Sequence, residues 1–163
     1  MAGLGSRMVE IERKFRVTTV DRTMLGVSKR IMQSYLSFNP EVRVRIIGNE
    51  GYLTVKGEGT LTRTECECPI PELVASKLLR MAEGRPIEKV RCSRDRWEVD
   101  FYDGHLKGLV IAEIEMESES EQVFLPAWMK GYEVTHDSRY KNQQLARIES
   151  LTVLDGELHG TSA

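Results

Sequence analysis

Val9-Glu10-Ile11-Glu12-Arg13-Lys14-Phe15 is the stretch whose reading decides the fold. In an extended chain successive side chains point to opposite faces. Glu10, Glu12 and Lys14 then share one face and Val9, Ile11 and Phe15 the other, with Arg13 the exception. Val, Ile and Phe among charges suit a strand. Wound as a helix, the segment would scatter its charges and show no apolar stripe. One such strand normally turns its apolar face to a core and its charges to water. Here the pattern recurs along the chain.

Arg30–Phe38 sets Ile31, Gln33 and Tyr35 against Met32, Leu36 and Phe38, and Asn39-Pro40 ends it. Val42–Ile47 sets Arg43 and Arg45 against Val42, Val44 and Ile46. Gly48-Asn49-Glu50-Gly51 reads as a hairpin turn into Tyr52–Lys56, where Thr54 and Lys56 oppose Leu53 and Val55. After a turn at Gly57-Glu58-Gly59, Thr62–Ile70 opposes Arg63, Glu65 and Glu67 to Cys66, Cys68 and Ile70. Pro71–Met81 is a predicted helix, with Leu73, Leu78 and Met81 near helical spacing. Three more strands follow. Glu88–Ser93 carries Lys89 and Arg91, Trp97–Tyr102 carries Glu98 and Asp100, and Leu109–Met116 carries Glu113 and Glu115, each opposite an apolar row. Asp21–Val27 is a turn or short helix. Ser118–Phe124 and Asn142–Arg147 read as short helices, Ile148–Ala163 as a mobile tail, and Met1–Arg7 as a flexible leader before a single domain at 8–147.

A chain of 163 residues, 40% hydrophobic and 29% charged, suits one soluble domain with a sizeable core. Its formal net charge of −2 supplies no global field for nucleic acid or an anionic membrane, so any polyanion site is local. No apolar run approaches the roughly 20 residues of a membrane span, and the first residues lack the apolar segment of a signal peptide. An odd number of cysteines, 3, argues for a reducing cytoplasm.

Successive antiparallel strands joined by tight turns suggest a meander closing into a barrel. With the charged rows outside, Val9, Ile11, Val44, Val55, Cys66, Val90 and Phe101 would fill the interior. The charges favour the opposite arrangement. They come as same-face pairs heavy in Arg, and the helices need apolar outer faces to pack on. Buried charge is unfavourable unless paired or coordinated, so a lining of both signs calls for a ligand of both signs. Carboxylates suit a divalent metal such as Mg²⁺, and Arg and Lys suit phosphate oxygens. Metal-bridged polyphosphate satisfies both, and phosphoryl transfer needs mainly positioning and charge stabilisation of this kind.

The same residues resemble the CYTH domains, or triphosphate tunnel metalloenzymes. The resemblance starts at Glu10-x-Glu12-x-Lys14 and continues through Gln33-Ser34-Tyr35-Leu36, Arg43-x-Arg45, Leu53-Thr54-x-Lys56 and Arg63-x-Glu65-x-Glu67. It goes on through Glu88-Lys89-x-Arg91, Trp97-Glu98-Val99-Asp100, Glu113-x-Glu115 and Glu133-Val134-Thr135-x-Asp137-x-Arg139-Tyr140-x-Asn142. It implies a mainly β, α+β fold: an eight-stranded antiparallel β-barrel tunnel with a charged interior and helices packed outside. It further implies triphosphate hydrolysis with Mg²⁺ or Mn²⁺, closest to the compact bacterial tripolyphosphatase-like branch. Carried over, Glu10, Glu12, Glu113 and Glu115 hold metal; Lys14, Arg43, Arg45, Lys56, Arg63 and Arg91 grip phosphates; Lys89 and Tyr35 sit near the reacting phosphate. Ser34 stands where relatives have glycine. No His-Phe pair of the cyclase members precedes Glu10, which lowers the odds of an adenylate cyclase. Its rivals also include a nucleoside triphosphatase and a non-catalytic polyphosphate or nucleotide binder. The expected partner is a small triphosphate, with neither nucleic acid nor membrane, and a homodimer is left open.

Cys66 and Cys68 read as buried inert thiols on the apolar face, since no second Cys or His pair accompanies them. His105, His136 and His159 lie in turns or the tail. Trp97 and Trp128 read as packing residues. Asp137-x-Arg139-Tyr140 is either a capping and salt-bridge device or a plug over one mouth of the tunnel.

Overall fold

A computed structural model describes residues 9–156. Its strands are β1 (Glu10–Val20), β2 (Ser28–Phe38), β3 (Glu41–Ile47), β4 (Glu50–Lys56), β5 (Thr62–Arg63), β6 (Glu65–Ile70), β7 (Glu83–Arg94), β8 (Trp97–Tyr102), β9 (Val110–Glu115) and β10 (Met129–Glu133). The helices are α1 (Glu72–Met81), α2 (Asn142–Leu145) and α3 (Leu151–Gly156). Among the described residues no helix is long and apolar enough to cross a membrane.

Tight turns make sequence neighbours pair, giving the order β6-β4-β3-β2-β7-β8-β9-β1. The two ends of that order meet through β5, which leads into β6 and pairs Arg63 with Glu10 and Thr62 with Ile11 of β1. The result is a closed eight-stranded antiparallel barrel. β10 pairs with the later part of β1, from Phe15 to Val20.

The charged rows face inward and the apolar rows outward. Outside, Phe15, Val17, Trp97, Val99, Ala112, Ile114 and Met129 form one layer, covered by Val123, Leu125 and Trp128. Elsewhere α1 packs over β2, β3 and β4. Ala75 and Val44 are both wholly buried there. Gly51 makes this approach possible, because a Cβ on it would lie 2.8 Å from the Ala75 Cβ. At one end of the barrel the interior turns apolar. Tyr35, Ile87, Tyr102, Leu109 and Ile111 meet Tyr140, Leu145 and Leu154 there, so α2 and α3 seal that end.

Several elements differ from the sequence expectation. Thr62–Ile70 is two strands, because the chain crosses there from the edge of β1 to the edge of β4. The Gly48–Gly51 turn is shorter than expected, with Glu50 and Gly51 already in β4. β7 starts before Glu88, and β10 appears where Lys130 and Gly131 interrupt any alternation. A bulge at Leu36 breaks the alternation of β2, so Tyr35 and Phe38 stack with ring centroids 5.6 Å apart. Ser118–Phe124 is not a helix; it bends over the outer layer, with Glu121 taking hydrogen bonds from Arg96 and the Glu117 N–H. Cys66 and Cys68 are exposed, not buried. Leu73 and Met81 are exposed too, since α1 packs through Ala75 with Leu78 and Leu79 half-buried. Ile148–Asp155 is no mobile tail, because Ile148, Leu151 and Leu154 join the sealed end. The leader 1–7 and His159 lie outside the described residues.

β10 supplies a stability test. A Cβ on Gly131 would collide with the Arg16 carbonyl oxygen and sit 3.0 Å from the Val17 Cα, both backbone atoms. Gly131→Ala is therefore expected to destabilise the fold by about 1–3 kcal/mol, the usual cost of overpacking. Chemical denaturation checks this, and an unchanged midpoint would show that β10 moves freely on β1.

Candidate functional site

The inward rows enclose a cavity of about 340 Å³ that runs from an open mouth to the sealed end. Glu10, Glu12, Lys14, Tyr35, Arg43, Arg45, Lys56, Arg63, Lys89, Arg91, Glu113 and Glu115 all line it. Strand register brings them together. Glu12 lies opposite Glu115 and Lys14 opposite Glu113 across β1 and β9, while Glu41 pairs with Lys56 and Arg43 with Thr54 across β3 and β4.

Each cation has an acid. Lys56 Nζ lies 2.8 Å from Glu10 Oε2 and 2.8 Å from Glu65 Oε2. Arg63 reaches Glu10 at 3.7 Å and Glu41 at 3.3 Å. Arg45 Nη2 donates to Glu67 at 2.8 Å, where Thr54 Oγ1 also donates at 2.7 Å. Lys14 Nζ lies 3.4 Å from Glu113 Oε1. Arg91 forks onto Asp100 at 2.6 and 2.7 Å and also contacts Glu98 and Glu113. Lys89, also buried, donates at 2.5 Å to Oδ2 of the same wholly buried Asp100, the oxygen that also receives Arg91 Nη2.

The two signs affect each other's protonation. Burial would raise the Glu10 carboxyl, but Lys56 and Arg63 bring it down to about 2. Burial likewise opposes Lys14 and Arg91 at Glu113, and they win, holding it well below the usual carboxylate range. Glu12 goes the other way. Burial, then the charge of Glu113, push it up to about 8 despite Lys14. Burial also pushes the Lys89 ammonium down to about 8, against the pull of Asp100. The Tyr35 phenol is raised by burial more than Arg43 lowers it, so it is a neutral donor at physiological pH.

A charged wall of this composition on this barrel matches one known domain. The CYTH domain matches residues 8–147. The chain belongs to the CYTH domain family. An inorganic triphosphatase of Nitrosomonas europaea is 41% identical over 149 residues, which cover 85% of this chain and 97% of its own length. One from Acetivibrio thermocellus is 40% identical over 146 residues, covering 85% and 93%. The crystal structure of an inorganic triphosphatase superposes with a TM-score of 0.65 at 36% identity, over 86% of this chain and 99% of that one.

In this CYTH barrel several partners had no assigned role in the sequence. Asp100, Glu98, Glu65 and Glu67 alternate onto the charged face, which was their available signal. Glu41 follows Pro40 and carried none. Arg16 continues the β1 row past Lys14 to the sealed end, donating to Tyr140 Oη at 2.9 Å and pairing with Asp155 at 2.6 Å. Asp137 is a capping and salt-bridge residue. It accepts from the Arg139 N–H and pairs with the Arg139 guanidinium at 2.6 Å, while Asp137 and the buried Tyr140 line the cavity. Trp97 packs edge-on to Phe15 at 5.5 Å and also borders the cavity, while Trp128 covers the same outer layer.

Proposed function

We propose that this CYTH protein is a metal-dependent inorganic triphosphatase, hydrolysing tripolyphosphate to diphosphate and phosphate. The observation that carries it is the cavity whose walls hold Arg and Lys on β3, β4, β5 and β7 against carboxylates on β1 and β9. A short polyanion with a divalent cation satisfies both walls. The inorganic triphosphatases among its relatives support the same reading.

Among the described residues no three His, Cys, Asp or Glu side chains already gather as a metal cluster. The donor chemistry nevertheless fits a hard cation. Burial first, and then the negative charge of Glu113, hold Glu12 up near 8, and a divalent ion beside it would favour the ionised form. Glu10, Glu12, Glu113 and Glu115 would hold Mg²⁺ or Mn²⁺, which supplies charge neutralisation of the phosphates and an activated water. Lys14, Arg43, Arg45, Lys56, Arg63 and Arg91 bind phosphoryl oxygens. Each leaves a carboxylate partner to do so, and Arg43, 4.0 Å from Glu67, has least to break. Tyr35 donates to a phosphoryl oxygen, and Lys89, held by Asp100 against the Tyr102 ring, is the candidate proton donor.

Phosphate release from tripolyphosphate, ATP, GTP and thiamine triphosphate under matched conditions tests the substrate. Tripolyphosphate is expected to give the highest kcat/KM. A nucleotide turned over faster would overturn that choice, and tight binding without turnover at any metal concentration would make the chain a binding module.

A further inference from the structure

Gln33 lies on the inward row of β2, directly across from Arg45 of β3. It is wholly buried, and neither its Nε2 nor its Oε1 has a hydrogen-bond partner. The Arg45 Nε, a donor, is likewise buried and without a partner. Directly opposed side chains on one face of a sheet have Cβ atoms about 5 Å apart. An orphaned acceptor and an orphaned donor therefore stand on facing residues without meeting. A buried polar group left unsatisfied is costly, and natural cores rarely keep one without a reason.

The reason lies in what Arg45 does. Its Nη2 is turned to Glu67 at 2.8 Å, and this orientation leaves the Nε pointing at nothing. A phosphate that draws the guanidinium from Glu67 toward the cavity rotates it about its own chain. We infer that Gln33 is a positioning residue that receives the Arg45 Nε–H in this second orientation. Gln33 then fixes Arg45 against phosphate as Glu67 fixes it otherwise, and Arg45 has two defined seats. Gln33 itself does not line the cavity and touches no substrate. Its amide discriminates the two seats because it carries no charge and does not compete with phosphate for the guanidinium, as a carboxylate would. The inference rests on the proposed triphosphate binding.

The readouts are steady-state kinetics on tripolyphosphate and calorimetric binding of tripolyphosphate with the metal chelated. Gln33→Met keeps the length of the side chain and loses both polar atoms. It is expected to raise Kd and KM roughly tenfold with kcat within about twofold, while the thermal midpoint stays level or rises. Gln33→Glu keeps the acceptor but adds a charge that competes with phosphate for the guanidinium, so it is expected to raise KM as well. The deciding comparison is a double-mutant cycle. Arg45→Lys has no Nε–H, so in that background Gln33→Met adds no further loss. The same loss in both backgrounds would overturn the inference, as would a lowered thermal midpoint with KM unchanged. If the native chain fails to bind tripolyphosphate, the proposed function falls and this inference with it, a result distinct from failure of the Gln33 variants alone.

Discussion

Glu12→Gln is expected to collapse tripolyphosphate hydrolysis by roughly a thousandfold or more, the scale of several kcal/mol of lost charge stabilisation. The same change is expected to raise the thermal midpoint of the metal-stripped protein at pH 8. The sign follows from the titration. Burial and the neighbouring Glu113 raise this carboxyl from its ordinary 4.5 to about 8. The folded chain therefore holds a proton that the unfolded chain loses between those values. Stability from this group is fully present below about 4.5 and declines as pH rises through about 8. Native and Gln variants converge in acid and separate with rising pH, the variant being the more stable. Glu113→Gln is expected to behave oppositely in stability, though activity collapses in both. It strips the partner from Lys14 at 3.4 Å and from one branch of Arg91 at 3.4 Å, leaving buried cations short of charge. Its midpoint therefore falls. Calorimetry in chelator across pH 5–9, beside activity with added metal, separates the two. Full activity in Glu12→Gln would remove it from the metal-holding set.

The opening strand announced the barrel because period-two alternation survives burial of either face. What it left undecided was which face is inside. The sign and pairing of the charges resolved that, since Arg-rich same-face pairs make sense only against partners. The pairing itself was not legible. Asp100 and Glu98 sit on the expected row, but that Asp100 is shared between Lys89 and Arg91 depends on the register of β7 against β8, where Arg91 faces Asp100. Chain closure was equally hidden. β5 spans only Thr62–Arg63, and nothing in an alternating run from Thr62 to Ile70 marks the crossing at Thr64. The sealed end escaped because its parts are scattered. Ile87, Leu109, Tyr140 and Leu154 come from four segments, and α3 with one apolar turn looked like a tail. The exposed thiols of Cys66 and Cys68 show the limit of face assignment. An outward row is buried only where something covers it, and α1 stops short of that part of β6.

Lys89→Ala is expected to lower kcat by roughly 10²–10⁴-fold, the range for a lost proton-transfer partner, with a smaller change in KM. Lys56→Ala, by contrast, is expected to raise KM strongly if, as proposed, that lysine grips phosphate throughout the reaction. The geometry separates the two lysines. Lys56 stands between Glu10 and Glu65, whereas Lys89 is wedged between Asp100 and the Tyr102 ring, 5.3 Å from its centroid. Burial takes its ammonium from the ordinary 10.5 down to about 8, with Asp100 opposing and Arg91 assisting. An ammonium at that value can deliver a proton to a departing phosphate oxygen near neutral pH. Activity that needs the protonated form is lost as pH rises, so kcat/KM is expected to fall above about 8. The limb in kcat lies at higher pH, because bound triphosphate adds negative charge that favours the ammonium. Lys89→Arg keeps a permanent cation and is expected to lose this alkaline limb along with most of the rate. A pH profile that keeps the limb in Lys89→Arg assigns it to another group. A Lys89→Ala enzyme altered in KM alone makes Lys89 one more phosphate clamp, and the leaving oxygen must then take its proton from water.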